Sequence, residues 1–252
     1  MVICYSRSSR PLYLLGGFSD ETVTMVVDFN AAVIVLSLRS TYEEADQHIM
    51  IHVLHCVNVL GEQRILVHSN ATDAIVSCVY YCAKYPAISE LWVRTGINTL
   101  IPIHMIAVSL GQEKCMLLPY FHAMSGKDDT SFIYRMGKKK LWKSLPLIDT
   151  RPLQSFAETP ETEQISPELI QYISTSLVIR AYGGMETDTL ASLRTRKFLA
   201  GNSGLHLSLP PTDDALQISS TQIRISLRTQ SLKYIAVYQL YKYNLTCVIK
   251  LA

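Results

Sequence analysis

Three acidic stretches stand out, because carboxylates gathered by a fold can bind divalent cations. The first is Glu43-Glu44-Ala-Asp46, at the head of a segment with helical signals. The second is Asp73, at the end of Arg64-Ile-Leu-Val-His-Ser-Asn-Ala-Thr-Asp73. The third is Asp128-Asp129, after His122-Ala-Met-Ser-Gly126-Lys. If the three converge, their oxygens form a site for Mg²⁺ or Mn²⁺. Two such ions about 3.5–4 Å apart clamp the attacking and leaving oxygens of phosphodiester hydrolysis. Each stretch also has a simpler reading. Asp46 is solvated if the first helical turn protrudes, and Thr72, Asp73 or Asp128 can cap a following helix.

Asp46 is the most telling of these residues. At about 100° per residue, Ile49, Met50, Val53, Val57 and Leu60 share one helical stripe. Asp46 falls in the middle of it, and Glu43 lies at its edge. A core-facing carboxylate is costly unless paired or metal-bound. A helix N-terminus contributes only about 0.3–1 kcal/mol, so a stronger partner is expected. His48, His52 and His55 share a roughly opposite stripe. Their spacing suits zinc, although histidines on an exposed or half-buried face are commoner. Cys78 and Cys82 are four apart, a weak metal signal without a second pair. G-x-S-x-G, H-E-x-x-H, P-loop and G-x-G-x-x-G patterns are absent.

The elements that must position these groups follow from pattern. Thr22–Val27 and Ala32–Leu38 are rich in β-branched and aliphatic residues and read as strands. Ser40-Thr-Tyr-Glu43 matches a capping box, which predicts a helix running to Leu60 and ending at Gly61. Arg64–His68 and Glu90–Arg94 read as strands. Thr72–Lys84, Ile103–Leu110 and Cys115–Met124 read as helices. The alternation predicts an α/β fold with a parallel sheet flanked by helices. Pro146–Pro167 reads as a linker or mobile loop, and Pro167–Tyr182 as a helix with proline near its start. The expected organisation is a core over 11–145, a linker over 146–166 and a mostly helical C-terminal extension over 167–252. The last 20 residues are ambiguous between helix and strand.

The 252 residues are 48% hydrophobic and 17% charged, which argues against disorder. No apolar run approaches the roughly 20 residues of a membrane span, and no secretory signal is visible. The six cysteines are scattered, as expected of reduced thiols in an intracellular protein, nuclear or cytoplasmic. The net charge of +2 is too small to argue for nucleic acid, but its distribution is uneven. Between Ser131 and Leu145 stand Arg135, Lys138, Lys139, Lys140 and Lys143, with no acid. Such a stretch is a solvated helix face or a phosphate-binding surface. No protein partner is inferable.

Taken in order, the motifs resemble a family of uncharacterised animal proteins, often linked to mobile elements, that carry a flap-endonuclease-like PIN domain. Its members look like E-E-A-D-T-R, S-P-D-T-D-V, E-L-W-x-R-T-G with I-P-I-H, L-P-x-x-H-A-x-x-G-C-D-T-T-S, and G-K-K-K-x-W. This chain has Glu43-Glu44-Ala-Asp46-Gln-His, Ser69-Asn-Ala-Thr-Asp73-Ala and Glu90-Leu-Trp-Val-Arg-Thr-Gly96. It continues with Ile101-Pro-Ile-His104, Leu118-Pro-Tyr-Phe-His-Ala-Met-Ser-Gly126-Lys-Asp128-Asp-Thr-Ser131, and Gly137-Lys-Lys-Lys-Leu-Trp142. The resemblance covers most of residues 11–235.

It implies a PIN-like, Rossmann-like core derived from a divalent-metal-dependent, structure-specific DNA nuclease. Glu43, Glu44, Asp46, Asp73 and Asp128 would hold Mg²⁺ or Mn²⁺, with Asp46, Asp73 and Asp128 as the catalytic set. Arg135, Lys138, Lys139, Lys140 and Lys143 would grip DNA, or RNA. Trp142 beside them would pack or stack. The chain departs from the family pattern at Ala71, where the family has an acid, and at Lys127, beside the presumed ligand Asp128. Further acids on earlier elements of such nucleases have no marked equivalent, although Asp20 and Asp28 are present. The expectation is an N-terminally incomplete, catalytically impaired copy. The alternatives are a non-catalytic nucleic-acid-binding module or a degenerate mobile-element product without selected function.

Overall fold

The segment Ala45–Asn58 holds apolar residues or histidines at nearly every position and no glycine or proline. Such a sequence can form a helix buried on all sides. In a computed structural model it does so as α1, with every residue from His48 to Val57 buried. The model describes residues 2–4, 12–15, 23–27, 32–39, 45–126, 130, 133, 136–151, 166–200, 209–223 and 250–251. For 2–4, 12–15, 37, 45–47 and 250–251 it describes the backbone alone. The single apolar stripe expected of α1 is therefore replaced by burial around the whole helix. The chain leaves α1 through Gly61, at φ 63°, a left-handed conformation that glycine adopts without strain. The Gly61 N–H donates to the Val57 carbonyl at 3.2 Å.

The chain forms two compact units, Met1–Met116 with Gln230–Ala252, and Leu117–Thr229. Among the described residues the first unit contains two sheets. One is antiparallel throughout, in the order β4-β3-β2-β1-β8, from Val2–Cys4 (β1), Leu12–Leu15 (β2), Thr24–Val27 (β3), Ala32–Ile34 (β4) and Lys250–Leu251 (β8). The strand expected over 32–38 stops at Ile34 and turns into a 3-10 helix, Leu36–Leu38. Thr24, fully buried, fixes that turn. Its carbonyl accepts from Val35 N–H at 2.8 Å, and its hydroxyl donates to the Leu38 carbonyl at 3.2 Å.

The other sheet has the order β5-β6-β7, from Arg64–His68 (β5), Glu90–Thr95 (β6) and Thr99–Pro102 (β7). β5 and β6 are parallel, in register Arg64↔Glu90 to His68↔Arg94, and are joined through helix α2, Thr72–Lys84. β7 returns antiparallel to β6. The architecture is thus α/β, with a mixed three-stranded sheet flanked by helices. The expectation of one parallel sheet is corrected, because the first strands pair among themselves as hairpins and β5 with β6 is the one parallel pair among the described strands. Ile65 and Val67 of β5 and Leu91 and Val93 of β6 alternate inward, the period of a sheet with one face in the core. α1 packs on β5 and on α2. α3, Ile103–Leu110, follows β7 directly, and α4, Gln112–Met124, follows Gly111. Cys78, Cys82 and Cys115 are thiols outside any disulfide. Cys78 Sγ lies 3.8 Å from Met50 Sδ of α1.

The second unit is helical where it is described. Lys138–Ser144 (α5), Pro167–Ala181 (α6), Leu190–Ala200 (α7) and residues 213–223 (α8) surround one core. Leu117, Phe121, Leu141 and Leu145 pack in that core with Ile170, Ile173, Leu177, Leu193 and Leu216. Packing therefore runs across positions 146–166, where the sequence suggests a linker, and the compact units divide inside α4 instead. Residues 152–165 lie outside the described set. Within 167–252, α6, α7 and α8 are helical, and β8 is a strand. The Tyr120 hydroxyl sits 3.0 Å from Ser174 Oγ, both fully buried.

Two sequence signals close α6. Ser166 caps its start, accepting from Leu169 N–H, with Pro167 as the first helical residue. At its end the Gly183 N–H donates to the Arg180 carbonyl and the Gly184 N–H to the Ile179 carbonyl, the two bonds of a Schellman motif. A Cβ on Gly184 would stand 2.7 Å from Ile179 Cγ2 and 3.0 Å from the Ile179 carbonyl oxygen. Gly184→Ala is therefore expected to destabilise the protein by about 1–3 kcal/mol, read as a lower denaturation midpoint. An unchanged midpoint would show that this helix end yields without strain.

Candidate functional site

In open α/β sheets ligands gather beyond the carboxyl ends of the parallel strands. Here that end is built from the loops after β5 and β6. The Ser69 N–H donates to the Arg94 carbonyl at 3.1 Å, continuing the ladder one residue past His68. Asn70 Oδ1 accepts from Gly96 N–H at 2.7 Å, which ties the two loops together. The Ala71 N–H donates to Ser69 Oγ at 3.1 Å. The Arg94 guanidinium turns away to bond the Ile97 carbonyl. Asp73, half-buried, is the second residue of α2, where the positive end of the helix dipole favours a carboxylate. Ala71 occupies the N-cap of α2 and makes no side-chain cap bond.

Of the acids expected to hold metal, Glu43, Glu44 and Asp128 lie outside the described residues. Asp46 is the second residue of α1, described for its backbone alone. Asp73 is thus the one carboxylate of the set whose setting is described. A divalent cation takes about six or more oxygen ligands, several of them from carboxylates. Among the described residues no three His, Cys, Asp or Glu side chains are grouped to hold a metal ion.

The three histidines of α1 are neither exposed nor half-buried. His48, His52 and His55 are 6%, 1% and 2% exposed. Burial disfavours the imidazolium of His55 and pulls its pKa from 6.5 down to about 4. These residues belong to the core.

The basic stretch is better defined. α5 follows Gly137 and turns Leu141 and Ser144 into the core. Trp142 meets Phe121 edge to face at 4.9 Å, so it packs rather than offering a stacking surface. Lys138, Lys139, Lys140 and Lys143 are all exposed, and α5 contains no acid. Lys138 Nζ lies 3.3 Å from His122 Nδ1, and Lys140 Nζ lies 5.4 Å from the centroid of the Tyr182 ring. No described ion pair involves any of the four. Arg135 lies outside the described residues. The lysines belong to the second unit and Asp73 to the first.

No family model, curated protein or solved structure matches this chain. The likeness to flap-endonuclease-like PIN domains rests on the motifs alone. Among the described residues no helix is long and apolar enough to cross a membrane.

The sequence reading gave no strand over 99–102 and no start for α8. β7 is short and largely exposed, with no alternation to signal it. The helix 213–223 follows Pro210-Pro211, where Thr212 accepts from Ala215 N–H as a cap; Thr212-Asp213-Asp214 was a usable start signal.

Two outcomes follow from these contacts. Asn70→Ala removes the acceptor of Gly96 N–H and is expected to lower stability by about 1 kcal/mol in denaturant titration; no change would mean the loops hold without it. For His55 the folded pKa lies below the unfolded one, so the unfolded chain takes up more protons as pH falls. Its contribution is complete above pH 6.5 and lost toward pH 4, about 3 kcal/mol in all. His55→Gln should flatten this acid limb; an acid limb identical to wild type would show that His55 does not titrate there.

Proposed function

We propose that this chain is a PIN-like domain descended from a divalent-metal-dependent, structure-specific DNA nuclease, catalytically impaired, that retains a surface for the nucleic-acid backbone on α5. The observation that carries the reading is α5 itself. Four lysines on seven residues are presented outward while Leu141, Trp142 and Ser144 anchor the helix. A rigidly anchored row of ammonium groups neutralises successive phosphates and releases their counterions. It reads no base edges, so the binding is sequence-tolerant.

Impairment is supported by Ala71. The family pattern has an acid there, and in this chain the position is the N-cap of α2, beyond the end of β5. A methyl group replaces one oxygen ligand next to Asp73. Lys127 stands beside Asp128 in the sequence, a positive charge next to a residue the resemblance assigns to a metal cation. The motif resemblance supports the nuclease ancestry, and the parallel β5-α2-β6 unit with an acid at its carboxyl end is compatible with it.

Binding and cutting are tested together, with labelled single-stranded and flap DNA and with Mg²⁺ or Mn²⁺ present. The expected result is a low-salt complex without metal-dependent cleavage. The triple variant of Lys138, Lys139 and Lys143 to Gln should reduce the slope of log K against log salt by about 2 for single strands. An unchanged slope would exclude α5 as the surface. Metal-dependent cutting that Asp128→Asn abolishes would overturn the impairment.

A further inference from the structure

β4 is the outer strand of the antiparallel sheet, in the order β4-β3-β2-β1-β8. Its residues Ala32, Val33 and Ile34 are all apolar and all exposed. Val33 and Ile34 are 55% and 49% exposed, and Leu36 just beyond them is 69% exposed. A strand alternates its side chains between two faces, so both faces of β4 are open to solvent. An outer strand also carries backbone groups that its one neighbour does not use. Proteins ordinarily guard such an edge with lysine, other charges, proline or a bulge. From Ala32 to Leu38 this chain has no charged residue, proline or glycine, and β4 pairs with β3 in unbroken register. β7, an outer strand of the other sheet, is instead closed by Pro102.

The register says which backbone groups are free. The Val35 N–H donates to the Thr24 carbonyl, which makes Thr24 and Val35 a hydrogen-bonded pair. Such pairs alternate with non-hydrogen-bonded ones along an antiparallel ladder. Val26↔Val33 is then the next hydrogen-bonded pair, whereas Met25↔Ile34 and Val27↔Ala32 are not. The N–H and C=O groups of Ala32 and Ile34 therefore point away from β3, and among the described residues nothing pairs with them. An extended, uncharged edge of this kind recognises another extended, uncharged strand, and a second β4 has the right parity by construction. When two β4 strands run antiparallel about a two-fold axis at Val33, Ala32 of each lies opposite Ile34 of the other. Both residues of that pair have outward groups, so they exchange two hydrogen bonds, and the symmetry-related pair exchanges two more. The two Val33 residues then face each other as a non-hydrogen-bonded pair, with Cα atoms about 4.5 Å apart. We propose that the chain self-associates through β4, joining the antiparallel sheets of two copies into one continuous sheet. An isologous contact of this kind closes at two copies. It is independent of the lysines of α5 and of any nuclease chemistry.

The test is sedimentation velocity of the full chain, from micromolar to hundreds of micromolar. The expected result is a reversible shift from monomer to dimer, with no larger species. Amide hydrogen exchange at Ala32 and Ile34 should slow by about tenfold or more once the dimer predominates. Val33→Lys places like charges opposite each other across the axis. The position is exposed, so the monomer should hold while dimerisation weakens about tenfold. Val33→Glu should do the same. An equimolar mixture of the two variants sets opposite charges across the axis and should restore the dimer, which an interface elsewhere on the chain would not do. The proposal is overturned if the wild type stays monomeric throughout, if it grows beyond a dimer, or if each variant alone dimerises like wild type. It is equally overturned if the mixture stays monomeric. If a variant fails to fold, exchange in the wild type decides, and protection of Ala32 and Ile34 that does not change with protein concentration overturns the proposal.

Discussion

The first unit depends on a helix whose residues from His48 to Val57 have no surface of their own. From His48 to Val57 every side chain of α1 is buried, so neighbouring elements must cover it on all sides. α2 and β5 do so directly, and the 3-10 turn at Leu36–Leu38 meets it as well. The constraint extends to chemistry. Three imidazoles enclosed in this way are held away from water, and His55 is kept neutral down to about pH 4. A helix that places histidines where a core would ordinarily use leucine couples the fold to acidity.

That burial also explains what could and could not be read beforehand. Local signals worked where local physics decides. The positive φ at Gly61 and Gly111, the serine–proline start of α6, and the aliphatic β5 and β6 all stand in the sequence as they do in the fold. Periodicity misled at α1, because an all-round buried helix has no polar face and any chosen stripe is arbitrary. Strand direction was unreadable from Thr24–Val27 and Ala32–Ile34. β-branched residues favour strands without saying which neighbour they pair with, and a hairpin partner won over a parallel one. The compact division inside α4 was hidden for the same reason. It is set by Leu145 and Ile170 sharing a core across a Pro- and Glu-rich stretch, a contact between residues distant in sequence.

The candidate sites divide along the same line. The lysines of α5 were legible because charge clustering is local and Leu141 anchors them within one turn. Asp73 was legible as an acid after a strand, and the tie between Asn70 and Gly96 shows how that end of the sheet is held. Whether the remaining acids join it is a question of tertiary geometry, which residue spacing does not encode.

The thiol of Cys78 records the cohesion of the first unit in another way. It is sealed against Met50 where α2 meets α1, and burial, with Cys82 close by, pushes its pKa up to about 12. Thiol reagents attack the thiolate, the form that burial of Cys78 disfavours, and the fully buried sulfur is closed to them in the folded protein. Modification proceeds through transient openings that restore an ordinary thiol. The rate at which a reagent reaches Cys78 therefore measures how often α1 and α2 part.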